Sequence, residues 1–237
     1  MTRGRYDGAG GRGSVTRSRG RSGAGWRRGV AGLALVLGLS TTVAGWAEEP
    51  GRQGRIVELK TAYHTTFDVY EAGPKDAEHG VLLVPGRWGF GARLWDWADR
   101  LAALGYRVVA VDYFDGRPVR NERLAREVIR AVDPVWVEAD LNSALSYLRL
   151  RQRQVIAVAW GVGGAYVAQL LRQRPGEIQA LVFYREREET LGAVAELAVP
   201  VLEVVTERSL LHVGGAPRRA LDEAWRATVD FLEKNFE

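Results

Sequence analysis

The chain has 237 residues, no cysteine and a formal net charge of +4. The lack of cysteine excludes disulfides, thiolate metal sites and a cysteine nucleophile. Residues 1–28 hold eight arginines and one acid, whereas residues 48–237 hold 25 basic and 28 acidic side chains, a net −3. Nucleic-acid binding needs a clustered basic face, and the balance beyond residue 47 offers no surplus to build one, so no nucleic-acid partner is expected.

Residues 1–47 read as a secretory signal peptide: a basic start, an uncharged apolar run over 29–47 and a small-residue exit at Gly45 and Ala47. The reading predicts an exported protein, periplasmic or secreted, with residues 48–237 as its one domain. Arg27-Arg28 suits a twin-arginine route, but no Ser or Thr precedes the pair and no Phe-Leu follows it, so the Sec route stays open. If retained, the apolar run would be long enough to span a bilayer core of ~30 Å. It would then be the only membrane contact expected. Its many Gly, Ser and Thr residues favour cleavage.

Arg55–Lys60 and Thr66–Glu71 alternate apolar and polar residues, which predicts a hairpin-like edge pair. Gly80–Pro85 and Arg107–Tyr113 are continuous apolar runs of strand length, as in strands buried on both faces. Between them, Gly86–Gly91 is a Gly-rich loop and Leu94–Leu104 has helical spacing. Leu124–Val132 and Val135–Leu150 are helices parted near Pro134. Val155–Ala159 is a strand, and Val162–Gln173 the helix after it. Gln179–Tyr184 and Pro200–Val205 are further strands, and Leu221–Phe236 is a closing helix. Buried strands alternating with helices predict a mostly parallel sheet covered on both faces. Ligands of such sheets sit beyond the carboxyl ends of the strands. That places the Gly86–Gly91 loop, Asp112–Phe114, Gly161, Tyr184-Arg185 and Thr206–Ser209 around one crevice.

Val155–Ala165 is the pivotal stretch. A buried strand, a tight turn and a helix start describe a nucleophile elbow, which lifts a Ser or Cys over the end of a sheet. Here Trp160-Gly161-Val162-Gly163-Gly164 leaves the lifted position, Gly161, without a side chain. Glycine adopts positive φ freely, so it keeps the turn and removes its strain. A dinucleotide fingerprint fails, because Gly-x-Gly-x-x-Gly needs glycine where Tyr166 stands. No phosphate loop and no His/carboxylate metal cluster is apparent, so neither cofactor nor metal is expected.

Val81–Gly89, Trp97–Tyr113, Asp140–Leu148 and Trp225–Asn235 together resemble the dienelactone hydrolase family of α/β-hydrolases, from about Ile56 to the C-terminus. The resemblance implies an α/β-hydrolase fold and hydrolysis of a lactone or other small ester. Its residues do not carry over. The family's elbow is Gly-x-Cys-x-Gly-Gly, and its nucleophile falls on Gly161. Its acidic residue before Trp-Gly falls on Gly86. Its triad Asp falls on Ser209, after the Pro-Val-Leu strand. Its triad His should follow a further helix and strand, but only Leu210–Ala220 remain, so the sheet is expected to be shortened at that edge. His212 lies in that stretch, either as a relic of the triad or unrelated.

Acyl transfer needs a nucleophile, a base and a group that orients the base. Ser209 and His212 are the catalytic candidates, as a relocated dyad or as an ordinary polar loop. His64 and His79 fall in early strand connections, away from the crevice. Glu203, if buried, needs a partner such as Arg185 or Arg208. The helix N-terminus at Val162 and the cation of Arg87 favour an anion. Trp88, Phe114, Trp160 and Tyr184 would supply aromatic walls, with Arg185 beside them, unless these rings are plain core. The residues thus predict a non-catalytic relative holding a small anionic or aromatic ligand, or a protein partner, at the crevice. An active hydrolase with a relocated group and a structural envelope subunit are the alternatives.

Overall fold

The computed structural model describes residues 51–236, apart from 118, 190, 191 and 213–216. The expectations for residues 1–47 lie outside the described residues. Those described form a seven-stranded sheet in the order β1-β2-β4-β3-β5-β6-β7. β1 (Arg55–Lys60) and β2 (Thr66–Ala72) are the antiparallel edge pair, and β2 runs antiparallel to β4 (Arg107–Val111). β3 (His79–Val84), β5 (Gln154–Trp160), β6 (Ala180–Glu186) and β7 (Val201–Thr206) continue parallel to β4. β3 lies between β4 and β5, so the chain winds outward from it in both directions. The crevice at such a switch point is where open α/β sheets hold ligands.

The strands explain the two faces. In β3, Leu82 and Val84 point to one core layer, and Val81 and Leu83 to the other. In β5, Val155, Ala157 and Ala159 alternate in the same way with Ile156, Val158 and Trp160. This is the period-two alternation of a pleated strand, with both faces buried. α3 (Pro134–Arg149) and α4 (Val162–Gln173) cover the first layer through Val137, Leu141, Leu145, Val167 and Leu171. α1 (Ala92–Ala102) and α5 (Arg218–Asn235) cover the second through Leu94, Trp97, Leu101 and Leu232.

The predicted elements all form, and their ends shift by a few residues for local reasons. α2 (Glu122–Ala131) starts two residues before the first apolar one, because the Asn121 side chain accepts from Leu124 N–H at 2.9 Å. α3 starts at Pro134 because Asp133 caps Val135 N–H at 2.9 Å and proline suits the first helical position. A short 3-10 turn (Gly192–Val194) follows β6 without having been expected. β7 forms the described edge of the sheet, which matches the expected shortening. No helix among the described residues is long and apolar enough to cross a membrane.

Asp112 closes β4 and is almost fully buried. Its carboxylate accepts from Phe114 N–H at 2.8 Å and Gly116 N–H at 2.6 Å, which turns the chain toward the crevice. Burial nevertheless raises its pKa from 3.8 to about 6, outweighing those bonds. The folded state therefore holds this proton more tightly than the unfolded chain. The stability it contributes is full below pH 3.8 and is lost as pH rises through about 6. Two pK units correspond to about 3 kcal/mol. In urea titrations, the stability of wild type minus that of Asp112→Asn should fall by about 2–3 kcal/mol between about pH 4 and pH 7. A constant difference would show that Asp112 does not titrate in this way.

Candidate active site

β5 ends at Trp160, and Gly161 turns the chain into α4 with φ 50° and ψ −123°. Gly161 N–H donates to Tyr184 C=O at 2.8 Å, and Gly161 C=O accepts from Gly164 N–H at 3.0 Å. The sharp strand-to-helix turn of an elbow is thus intact. Its central residue holds a backbone conformation that costs a non-glycine residue of order 1–3 kcal/mol. α4 starts with no side-chain cap and no acid in its first turn.

The space over Gly161 is filled. A Cβ there would lie 2.8 Å from Oε1 of Glu189. Glu189 stands on the loop after β6. Its Oε1 accepts from Arg87 Nη1 at 2.9 Å, and its Oε2 accepts from Glu186 N–H at 2.8 Å. Arg87 Nη2 donates to Glu186 Oε1 at 2.7 Å, and Arg87 Nε lies 3.4 Å from Glu122 Oε1. Burial pulls the Arg87 pKa down, but Glu186, Glu122 and Glu189 more than reverse this, and the net shift is upward. Arg185 braces the same loop: its Nη1 donates to Glu189 C=O at 2.9 Å, and its Nε pairs with Glu203. The remaining cavity, lined by Gly86, Arg87, Trp160, Gly161, Glu189 and Ser209 among others, is about 10 Å³, room for one water at most.

The predicted site residues divide into those at the crevice and those in the core. Arg87, Trp88, Trp160, Gly161, Tyr184, Arg185 and Ser209 line the crevice. Arg87 is not a free cation there, because three carboxylates surround it. Trp160 and Tyr184 stack at 5.2 Å and are nearly buried, with the Tyr184 hydroxyl bonded to Ala224 C=O and Thr228. Phe114 is fully buried and stacks on Tyr113. Val162 and Gly163 begin α4, and an added Cβ on Gly163 would press on Pro85 C=O at 2.6 Å. Gly86 is similarly confined: a Cβ there would sit 2.7 Å from Trp160 C=O, so a larger side chain has no room.

Ser209 and His212 part company. The Ser209 hydroxyl accepts from Leu211 N–H at 3.3 Å. His212 stacks on Trp88 with ring centroids 3.9 Å apart and lines a different cavity. No hydrogen bond joins Ser209 to His212 among the described residues. His64 sits in the β1–β2 turn, and His79 opens β3 against Phe236, at the far end of that strand from the crevice. Glu203 is exposed on the edge strand and also paired with Arg185. Glu186, Glu189 and Glu122 escaped the sequence reading. The signal for Glu186 and Glu189 was Arg185-Glu-Arg-Glu-Glu189, a charge run at the carboxyl end of a buried strand that faces the crevice. Among the described residues, no group of His, Asp or Glu is arranged to hold a metal ion.

The sheet order and the strand–elbow–helix at Gly161 define an α/β-hydrolase fold. The sequence model of the dienelactone hydrolase family matches residues 67–228, and the chain belongs to that family. Solved structures resemble it at low identity. A dienelactone hydrolase-like promiscuous phosphotriesterase from metagenomic libraries is 19% identical with a TM-score of 0.60, covering 77% of this chain and 98% of that one. A putative dienelactone hydrolase from Klebsiella pneumoniae subsp. pneumoniae is 15% identical with a TM-score of 0.58, covering 75% and 97%. A cold-adapted esterase from an Arctic intertidal metagenomic library is 15% identical with a TM-score of 0.57, covering 80% and 97%. No curated protein matches the chain.

Gly161→Ala should lower stability by about 1–3 kcal/mol, from the backbone strain and the contact with Glu189. Glu189→Gly in the same chain should recover only the contact part, which a double-mutant cycle in urea separates from the strain. Equal costs of Gly161→Ala with and without Glu189 would mean that the carboxylate does not sit over the elbow.

Proposed function

We propose that this chain is an exported, catalytically silent member of the dienelactone hydrolase family that works by binding. The carrying observation is the Glu189 carboxylate, held by Arg87 in the space where an elbow side chain would stand. Acyl transfer needs a nucleophile beside a base. Here the lifted position is backbone alone, and the candidate base His212 is stacked on Trp88.

The same geometry argues about what is bound. The crevice has room for about one water, and its two arginines, Arg87 and Arg185, are matched by its two glutamates, Glu186 and Glu189. A small anion entering there would meet no surplus cation and would have to break the Arg87–Glu189 pair. A filled crevice favours a domain that acts through its outer surface, on a protein partner or as a fixed envelope subunit.

Turnover of p-nitrophenyl acetate by the purified protein tests this reading. The expected rate equals the buffer blank, for wild type and for Ser209→Ala and His212→Ala alike. A wild-type rate well above blank that disappears in either folded variant would instead establish a hydrolase with a relocated group.

A further inference from the structure

Next to the filled crevice, and sharing Trp88 with it, lies a larger cavity of about 320 Å³. That is within the size range of small-molecule pockets. Its lining includes Trp88, Arg93, Leu94, Val119, Arg120 and His212, and no acidic side chain among the described residues. Neither Arg93 nor Arg120 makes a hydrogen bond or ion pair with another described residue. The contrast is with Arg87, which three carboxylates enclose.

Further donors lie near the cavity. α1 begins at its rim after an extended Gly91, with no side-chain cap and no acid in its first turn. Its first N–H groups therefore lack a carboxylate partner of the usual kind. The Trp88 indole N–H is buried with no acceptor among the described residues. His212 lies flat on Trp88, with ring planes 17° apart, and closes one wall. Leu94, Val119 and Leu211 supply an apolar side.

We propose that this cavity binds a small organic anion, a carboxylate or phosphate head on an apolar body. The head sits between the Arg93 and Arg120 guanidinia at the start of α1, and the body lies against Leu94, Val119, Leu211 and the Trp88–His212 stack. Guanidinium forks match the paired oxygens of either head group. The site lies outside the crevice, so it does not depend on whether the crevice turns over esters.

The test is calorimetric titration of the whole protein with benzoate, phenyl phosphate, inorganic phosphate and neutral benzamide. Benzoate or phenyl phosphate should bind, and the stronger of the two names the head group. Benzamide should not bind, and inorganic phosphate should bind more weakly than phenyl phosphate. Arg93→Ala and Arg120→Ala should each weaken binding by about tenfold or more, the usual scale for one charged hydrogen-bonding partner. Arg226→Ala, an exposed arginine on α5, should leave affinity unchanged. Both cavity arginines are on the surface side of the fold, and thermal melts of each variant check folding. Absence of binding by both organic anions at millimolar concentration overturns the proposal. So does binding of benzamide equal to benzoate, or affinity indifferent to Arg93 and Arg120. Inorganic phosphate binding as well as phenyl phosphate overturns the organic-anion assignment. None of these results bears on the ester assay, so the two readings fail separately.

Discussion

The pairing of Arg87 with Glu189 organises the carboxyl end of the sheet. Arg87 comes from the loop after β3 and Glu189 from the loop after β6, so one ion pair ties together loops on either side of the elbow. Glu186 and Glu122 extend it along β6 and to the start of α2. The arginine is partly shielded from water, which strengthens these pairs and makes removal of any one partner costly. A crevice closed in this way keeps room for about one water. The ion pair fills it only because Gly161 has no side chain: a Cβ on that residue would collide with the carboxylate. The loss at one position and the plug at another are therefore two sides of one packing solution.

The elbow conformation is kept at Gly161 without a side chain. The φ and ψ of Gly161 are those that lift a nucleophile, yet the residue lifts nothing. The turn persists because it is the means of joining β5 to α4. Gly163 lies against the backbone at Pro85, and an added Cβ on Gly164 would strike the Phe183 ring at 2.3 Å. The helix cannot move away without opening the core on both of its neighbouring strands. Packing thus holds the elbow geometry with no side chain at Gly161.

Charge is also distributed in a way composition conceals. The two arginines of the crevice are matched by two glutamates, whereas the cavity beside Trp88 has two arginines and no acid among the described residues. Trp88 lines both. Arg87, the cation read from the sequence, is enclosed by carboxylates, whereas Arg93 and Arg120 pair with no other described residue.

The strand and helix pattern was legible in the sequence because it rests on local periodicity. Strands buried on both faces read as continuous apolar runs, as in Gly80–Val84 and Val155–Ala159, and the elbow followed from its glycines. The empty nucleophile position was equally plain, since it needs only one residue in one motif. What the sequence could not contain was the partner of Arg87, which lies 102 residues away at Glu189. Ser209 and His212 look like neighbours three apart, yet the fold turns one to the crevice and the other onto Trp88. By itself, then, the sequence determined the fold, the family and the missing side chain, all carried by short-range pattern. Only the tertiary structure decided that the crevice is filled and that Arg87 is enclosed by carboxylates, because ion pairing and cavity volume depend on which loops meet in space.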